Sequence, residues 1–160
     1  MKTRAIVLAD RIEEGARNLA AFAEGLTDAD WRAPVHPDGR TVGVIVHHVA
    51  SVFPLEVELA QKLAGGNAIG GVTWDAVATM NAEHAHEHGA AAKSDTLALL
   101  RRNSKAAADS VRQMTDEELD RAAPVSLYAD APLTAQFFIE DHALRHSYHH
   151  LGKIRKALGR

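Results

Sequence analysis

Residues 41–63 read TVGVIVHHVASVFPLEVELAQKL, and this stretch decides the fold. Its apolar residues recur at intervals of three and four, which is the spacing of one face of an α-helix. The members of this apolar band are Val42, Ile45, Val46, Val49, Val52 and Phe53. Pro54 removes a backbone donor within the pattern, so we expect a kink or a break there before the helix resumes to Leu63. The Gly65-Gly66 pair then ends the helix.

Helical patterns lie on both sides of this segment. Residues 3–26 mix apolar residues at helical spacing with charges, so they predict an amphipathic helix. Residues 73–89 and 94–114 predict two further helical segments, with Thr73 and Ser94 as their N-caps.

Shorter signals and the last helix complete the pattern. Thr27 and Thr115 each begin a capping box that opens a short helical turn. Residues 124–132 predict a loop or a short extended piece, and residues 134–158 predict the last helix. Because long helical segments alternate with loops, we predict an all-α four-helix bundle formed by a single domain over residues 1–160.

Composition restricts the class of protein. Hydrophobic residues make up 46% of the 160 residues and charged residues 24%, which is ordinary for one globular domain. The formal net charge of -3 provides no general attraction to nucleic acid or to an anionic membrane. The N-terminal residues lack the apolar core of a signal peptide, and no stretch approaches the roughly eighteen apolar residues that span a bilayer, so we expect a cytoplasmic protein.

The chain contains no cysteine and ten histidines. Thiolate ligands and a cysteine nucleophile are therefore excluded, and any thiol chemistry must use a thiol from outside the protein. The histidines are clustered rather than scattered along the chain.

Four of these histidines lie in the last predicted helix. His142, His146 and His150 are four residues apart, so consecutive members share a helical face and can reach one metal ion. His142, His146 and His149 form an equally good stripe, and the spacing leaves this choice open.

Two ligands hold a metal weakly, so a third ligand must come from another helix. His47-His48 is embedded in the apolar band of the second long helix, where a neutral imidazole needs a partner for its ring nitrogen. Either residue of the pair satisfies this argument.

A third group consists of His84, His86 and His88. His84 and His88 share a helical face and His86 lies opposite, so a second metal site is conceivable, but a solvated, polar helix end is the favoured interpretation. Trp31 and Trp74 are interpreted as packing residues rather than as ligand platforms.

Two of these stretches resemble a known family. Residues 41–50, TVGVIVHHVA, and residues 146–154, with His146-x-x-x-His150 before a Gly-Lys-Ile run, are similar to the DinB-like (DinB/YfiT) superfamily. That superfamily includes mycothiol-dependent maleylpyruvate isomerases and bacillithiol transferases. The resemblance implies a four-helix bundle with long crossover connections. It also implies a metal site with one histidine from the second helix and two from the last helix.

Carried over position by position, the resemblance selects His48, His146 and His150 as the metal ligands. Arg40 stands where an aromatic residue often opens the second helix, and Lys153 stands where glutamine is usual. Neither position is a ligand. Glu140, Asp141 and Tyr148 are candidates for orienting an imidazole from behind.

Three protein ligands with an open position are typical of a catalytic metal site. The resemblance implies a transferase or isomerase that acts on a small-molecule substrate with a low-molecular-weight thiol. Imidazole ligands suit zinc, nickel, copper and iron alike, and we expect a divalent ion, zinc or nickel. The resemblance also implies a homodimer. A bound water in place of the thiol would make the protein a metal-dependent hydrolase. Two further interpretations are a non-catalytic metal- or small-ligand-binding stress protein and a metal-free helical module.

Overall fold

The computed structural model describes residues 3–160 and is mainly helical. In chain order, the helices are α1 (Arg4–Glu24), α2 (Asp28–Arg32), α3 (Val42–Ala64), α4 (Trp74–Glu87), α5 (Lys93–Arg112), α6 (Asp116–Asp120), α7 (Ala135–Ile139) and α8 (Arg145–Ala157). A π-helical segment (Glu140–Leu144) joins α7 to α8, so the three form one continuous last helix.

Four long helices form the bundle: α1, α3, α5 and the last helix. α1 packs against α5 and α8, and α3 packs against α5, α7 and α8. The largest fully buried side chains of the core include Phe53, Phe138, Ile12, Leu19, Ile45 and Leu63. Long connections over residues 65–92 and 113–134 separate the third and fourth bundle helices from those before them. The predicted all-α four-helix bundle with long connections is confirmed.

Pro54 lies inside α3, which continues through it to Ala64. Proline has no N–H to donate to the carbonyl of Ala50, four residues earlier. Asn103 of α5 donates its side-chain N–H to that carbonyl instead, at 2.9 Å. Because the freed carbonyl keeps a hydrogen bond, the helix does not have to end, and the break considered at Pro54 is wrong.

α3 is also the most apolar of the long helices. By length and composition it could cross a bilayer, so the expectation that no stretch approaches such a span is wrong. However, 61% of its apolar window is buried inside the protein. This burial is typical of the core helix of a bundle, and it accounts for the apolar composition of α3.

Threonine caps open several helices as predicted, at Thr27, Thr73 and Thr115. The predicted cap at Ser94 is wrong, because the N-cap of α5 is Ala92, two residues earlier, and the helix begins at Lys93. The backbone carbonyl of Ala92 accepts the first helical hydrogen bond, and the Lys93 ammonium donates to the carbonyl of Leu26 at 2.7 Å. This contact ties the start of α5 to the end of α1.

The segment predicted as a loop or short extended piece is a small hairpin. β1 (Ala122–Val125) pairs antiparallel with β2 (Ala131–Thr134), and a 3-10 turn (Ser126–Tyr128) lies between them. The Ser126 hydroxyl donates to the carbonyl of Val72 at 2.7 Å, and the Ser126 N–H donates to that of Ile69 at 2.9 Å. The hairpin is thereby fixed to the connection that follows α3.

The close contact between Gly43 of α3 and Trp31 of α2 allows a test of how these two helices pack. A Cβ on Gly43 would lie 2.5 Å from Nε1 of Trp31, whose indole is buried and donates to the carbonyl of Ala91. We expect Gly43→Ala to lower the free energy of unfolding by about 1–3 kcal/mol, because the held indole must move. Urea denaturation measures this change.

Gly152→Ala is the matched control. Gly152 is exposed in α8, and a Cβ there meets no atom of residues 3–160 within 4 Å outside the local helix backbone. This variant should be about 0.5–1 kcal/mol more stable than wild type, through helix propensity alone. Equal stability gains in both variants would contradict the packing argument.

Candidate metal centre

Three histidines from two bundle helices converge in the interior. His48 comes from α3, and His146 and His150 come from α8. One ring nitrogen of each lies within 4.8 Å of those of the other two, and the Nε2 atoms of His48 and His146 are 3.1 Å apart. His48 and His150 are each only 6% exposed. The structure therefore brings together the three histidines that the family resemblance selects.

A buried carboxylate stands behind one of these rings. Glu56 lies about two helical turns after His48 on α3, and its Oε1 atom is 2.7 Å from Nδ1 of His146. The contact orients the imidazole so that its Nε2 atom faces His48. A carboxylate in this position is the usual partner of a metal-binding histidine. Glu56 is not among the site residues expected from the sequence, although an acidic residue within an apolar band was a usable signal.

Burial determines the charge of His48 and His150. Burial and, next in size, the nearby His146 lower the pKa of His48 to about 3. Burial likewise lowers the pKa of His150 to about 2, with His146 and His48 as the next causes. Both rings are therefore neutral at neutral pH, which is the form that binds a metal ion.

The other two histidines of the last helix lie outside this cluster. The wider turn of the π-helical segment changes the direction of His142 relative to His146. The His142 ring stacks on Phe138 with 4.2 Å between centroids, and its Nε2 atom is 2.9 Å from the Tyr128 hydroxyl. His149 is exposed at the surface of α8. Neither residue belongs to the group of ring nitrogens formed by His48, His146 and His150, although the His149 ring lies 5.1 Å from that of His150 between centroids.

Of the three residues expected to orient an imidazole, only Asp141 reaches the site region. Asp141 accepts a short hydrogen bond from the Tyr128 hydroxyl. Burial, together with this hydrogen bond, raises the pKa of Tyr128. Glu140 instead pairs with Arg11 of α1, and Tyr148 lies over α1. Glu140 and Tyr148 are therefore wrong as candidates, and Glu56 is the carboxylate that lies against a ring nitrogen of the cluster.

A cavity of about 510 Å3 opens beside the histidine cluster. Its apolar walls consist mainly of Leu55, Leu59, Trp74, Val77, Met80, Leu127 and Phe138. Trp74 is 55% exposed and donates its indole N–H to the carbonyl of Leu127 at 2.9 Å. The interpretation of Trp74 as a packing residue is therefore wrong, whereas Trp31 is buried as expected.

Cationic side chains line the same cavity. Arg40, Arg145 and Lys153 contribute to its wall. Arg40 donates through Nε and Nη2 to Asp38, while its buried Nη1 has no hydrogen-bond partner among the described residues. The two positions at which this chain departs from the family pattern, Arg40 and Lys153, are thus both cavity residues.

The fold and this cluster define a class: an all-α bundle protein with a candidate three-histidine metal centre. The family model of the DinB superfamily matches residues 11–154, so the chain belongs to the DinB superfamily.

The fold is similar to a solved structure of YfiT from Bacillus subtilis, with a TM-score of 0.78 and 21% sequence identity. The similarity covers 100% of this chain and 89% of that chain. YfiT is described as a probable metal-dependent hydrolase with an unusual four-helix bundle topology. No curated protein matches the sequence.

The buried histidines predict that the stability of the metal-free protein depends on pH. The ordinary histidine pKa is 6.5, whereas the folded pKa values of His48 and His150 are about 3 and about 2. Below pH 6.5 the unfolded chain binds more protons, so stability is complete above this pH and falls as the pH decreases towards 3. The limiting slope is about 1.4 kcal/mol per pH unit for each histidine. Urea denaturation of chelator-treated protein between pH 7.5 and 5 measures it.

Variants identify the source of this slope. His150→Gln should show a shallower dependence on pH, because glutamine does not titrate. His86→Gln, at an exposed position, should keep the wild-type slope. An unchanged slope in His150→Gln would contradict the assignment.

Proposed function

We propose that this protein is a divalent-metal-dependent enzyme whose ion, zinc or nickel, is held by His48, His146 and His150. The observation that carries the proposal is the convergence of three imidazoles, two of them buried and neutral, with the Glu56 carboxylate behind one. Imidazole donors suit zinc and nickel. The buried Nδ1 atom of His150 has no hydrogen-bond partner within residues 3–160, and such an orphaned atom fits a ligand set.

The ligand count favours catalysis over a structural role, because three protein ligands leave a coordination position open. A metal ion held there lowers the pKa of a thiol or a water that binds to it. The chain has no cysteine, so a thiol nucleophile has to come from a cosubstrate. The family resemblance favours a low-molecular-weight thiol, such as mycothiol, bacillithiol or glutathione, and therefore a transferase or isomerase.

The cavity walls indicate the class of substrate. Trp74, Val77 and Met80 present apolar surface that can cover an apolar body and exclude water. Arg40 and Lys153 add positive charge to the cavity wall, which favours a substrate with a carboxylate. We therefore infer a small, partly apolar substrate with an anionic group.

A hydrogen-bonded group in the cavity wall can handle a proton. Tyr128 contacts both Asp141 and His142, and all three line the cavity. The raised pKa of Tyr128 keeps its hydroxyl protonated, while burial lowers the pKa of His142 and keeps its ring neutral. This group can therefore hold a proton near the substrate and pass it on.

A metal-dependent hydrolase is the second candidate. The same open position accepts water, and the similar structure YfiT is described as a hydrolase of this kind. In that case the reaction requires no thiol, which makes the two candidates separable by assay.

Metal content tests the ligand set. His150→Ala should bind one ion fewer per chain than wild type, because two imidazoles hold a metal weakly. Glu56→Gln should keep the ion but bind it about 10–100-fold more weakly, since the amide orients His146 less well. Elemental mass spectrometry and competition with a chelator measure these two effects. Glu58→Gln, an exposed acid on the same helix, is the matched control and should equal wild type. Wild-type metal content in His150→Ala would contradict the assignment.

Turnover tests the reaction class. Metal-loaded protein should convert small anionic electrophiles only when one of the low-molecular-weight thiols is present, and His150→Ala should lose this activity. Arg40→Gln should raise KM for the anionic substrate without changing metal content, because it removes a cavity cation. Turnover without thiol would favour the hydrolase, and no turnover in either assay would contradict an enzyme and favour a binding protein.

A further inference from the structure

A second group of three histidines lies beside the first, and it shares no residue with the site proposed above. His47 comes from α3, and His84 and His88 come from α4 and its C-cap. One ring nitrogen of each lies within 4.8 Å of the others. Nδ1 of His47 is 2.9 Å from Nε2 of His84, and the rings of His47 and His88 stack with 4.1 Å between centroids.

These distances suit a metal ion. Zinc–imidazole bonds of about 2.0–2.1 Å in a tetrahedral site place ligand nitrogens about 3.3 Å apart. Nδ1 of His47 and Nε2 of His84 are already close to this separation, so small ring rotations open the space for an ion. Without an ion, one N–H···N bond joins His47 to His84.

The weak attachment of α4 to the core indicates what this cluster can do. None of the residues Trp74–Glu87, all of them described, is buried, so α4 contributes nothing to the core that holds the other long helices. Yet α4 supplies Trp74, Val77, Met80 and Asn81 to the wall of the main cavity. The indole of Trp74 holds its first turn to the hairpin. The histidine cluster is at the opposite end of α4.

We propose that His47, His84 and His88 form a second divalent-metal site, which clamps the C-terminal end of α4 onto α3. His86 is exposed and takes no part. A separate cavity of about 420 Å3 borders His47 and His88, with Asp95, Thr96 and Arg102 among its lining residues. Water or a small anion from this cavity would complete the coordination shell of the second ion.

Stoichiometry tests the second site. Chelator-treated, full-length protein is titrated with zinc chloride by calorimetry, and bound zinc is measured after desalting. We expect two ions per chain in wild type, one in His88→Gln, one in His150→Ala and none in the double variant. His86→Gln is the matched control and should keep two.

A second readout follows the clamp itself. Hydrogen exchange of the backbone amides of residues 82–88 should slow on zinc addition in wild type and in His150→Ala, because the ion fixes the end of α4. It should not slow in His88→Gln. This measurement also shows that each variant is folded, through the protected amides of α3 and α5.

The proposal is overturned if wild type and His88→Gln each bind one ion per chain. It is also overturned if His86→Gln loses as much zinc as His88→Gln, or if zinc protects the α4 amides in His88→Gln as much as in wild type. If wild type binds one ion and His150→Ala loses it, the second site is contradicted and the first is supported. If wild type binds one ion that His88→Gln loses and His150→Ala keeps, the second site is supported and the first is contradicted.

Discussion

Burying imidazole rings inside an apolar bundle is the constraint on which the rest of the structure depends. A buried polar group without a hydrogen bond costs about 1–3 kcal/mol, and a charged one costs more. His48 and His150 therefore stay neutral, and their nitrogens need partners within the protein or from a bound ion. The Glu56 carboxylate lies 2.7 Å from Nδ1 of His146, which places an acid inside the apolar face of α3. The contact joins α3 to the last helix at the point where the candidate metal ligands meet.

The site is divided between rigid and peripheral parts of the fold. Its candidate ligands and Glu56 lie on α3 and α8, whose positions are set by the bundle core. Another part of the cavity wall, which includes Trp74, Val77, Met80 and Leu127, lies on α4 and on the hairpin turn, which are fixed by a few hydrogen bonds such as that from Trp74 to Leu127. Ligand geometry needs accuracy of a fraction of an ångström, whereas an apolar wall tolerates adjustment. The division matches these two requirements.

Periodicity was sufficient to predict the four bundle helices, because each buries one apolar stripe. It could not choose between His47 and His48, which both lie in the apolar band of α3; only the family resemblance selected His48. The stripe through His142 failed because the π-helical segment changes the helical phase, and no local residue pattern indicates such a turn. The hairpin was missed because strands of four residues around Pro124 and Pro132 show too little alternation. The contact of Glu56 with His146 could not be predicted from the sequence, because it depends on the packing of α8 against α3.

The separation of α4 from the core also bears on how this protein can change over evolutionary time. Substitutions at Trp74, Val77 or Met80 alter the cavity wall, but they remove no buried core contact and leave the candidate metal ligands in place. Under the proposed function, new substrate preferences can therefore arise there by single mutations at little cost to folding. Related chains would then keep one bundle and one histidine centre while they diverge in the molecules they accept.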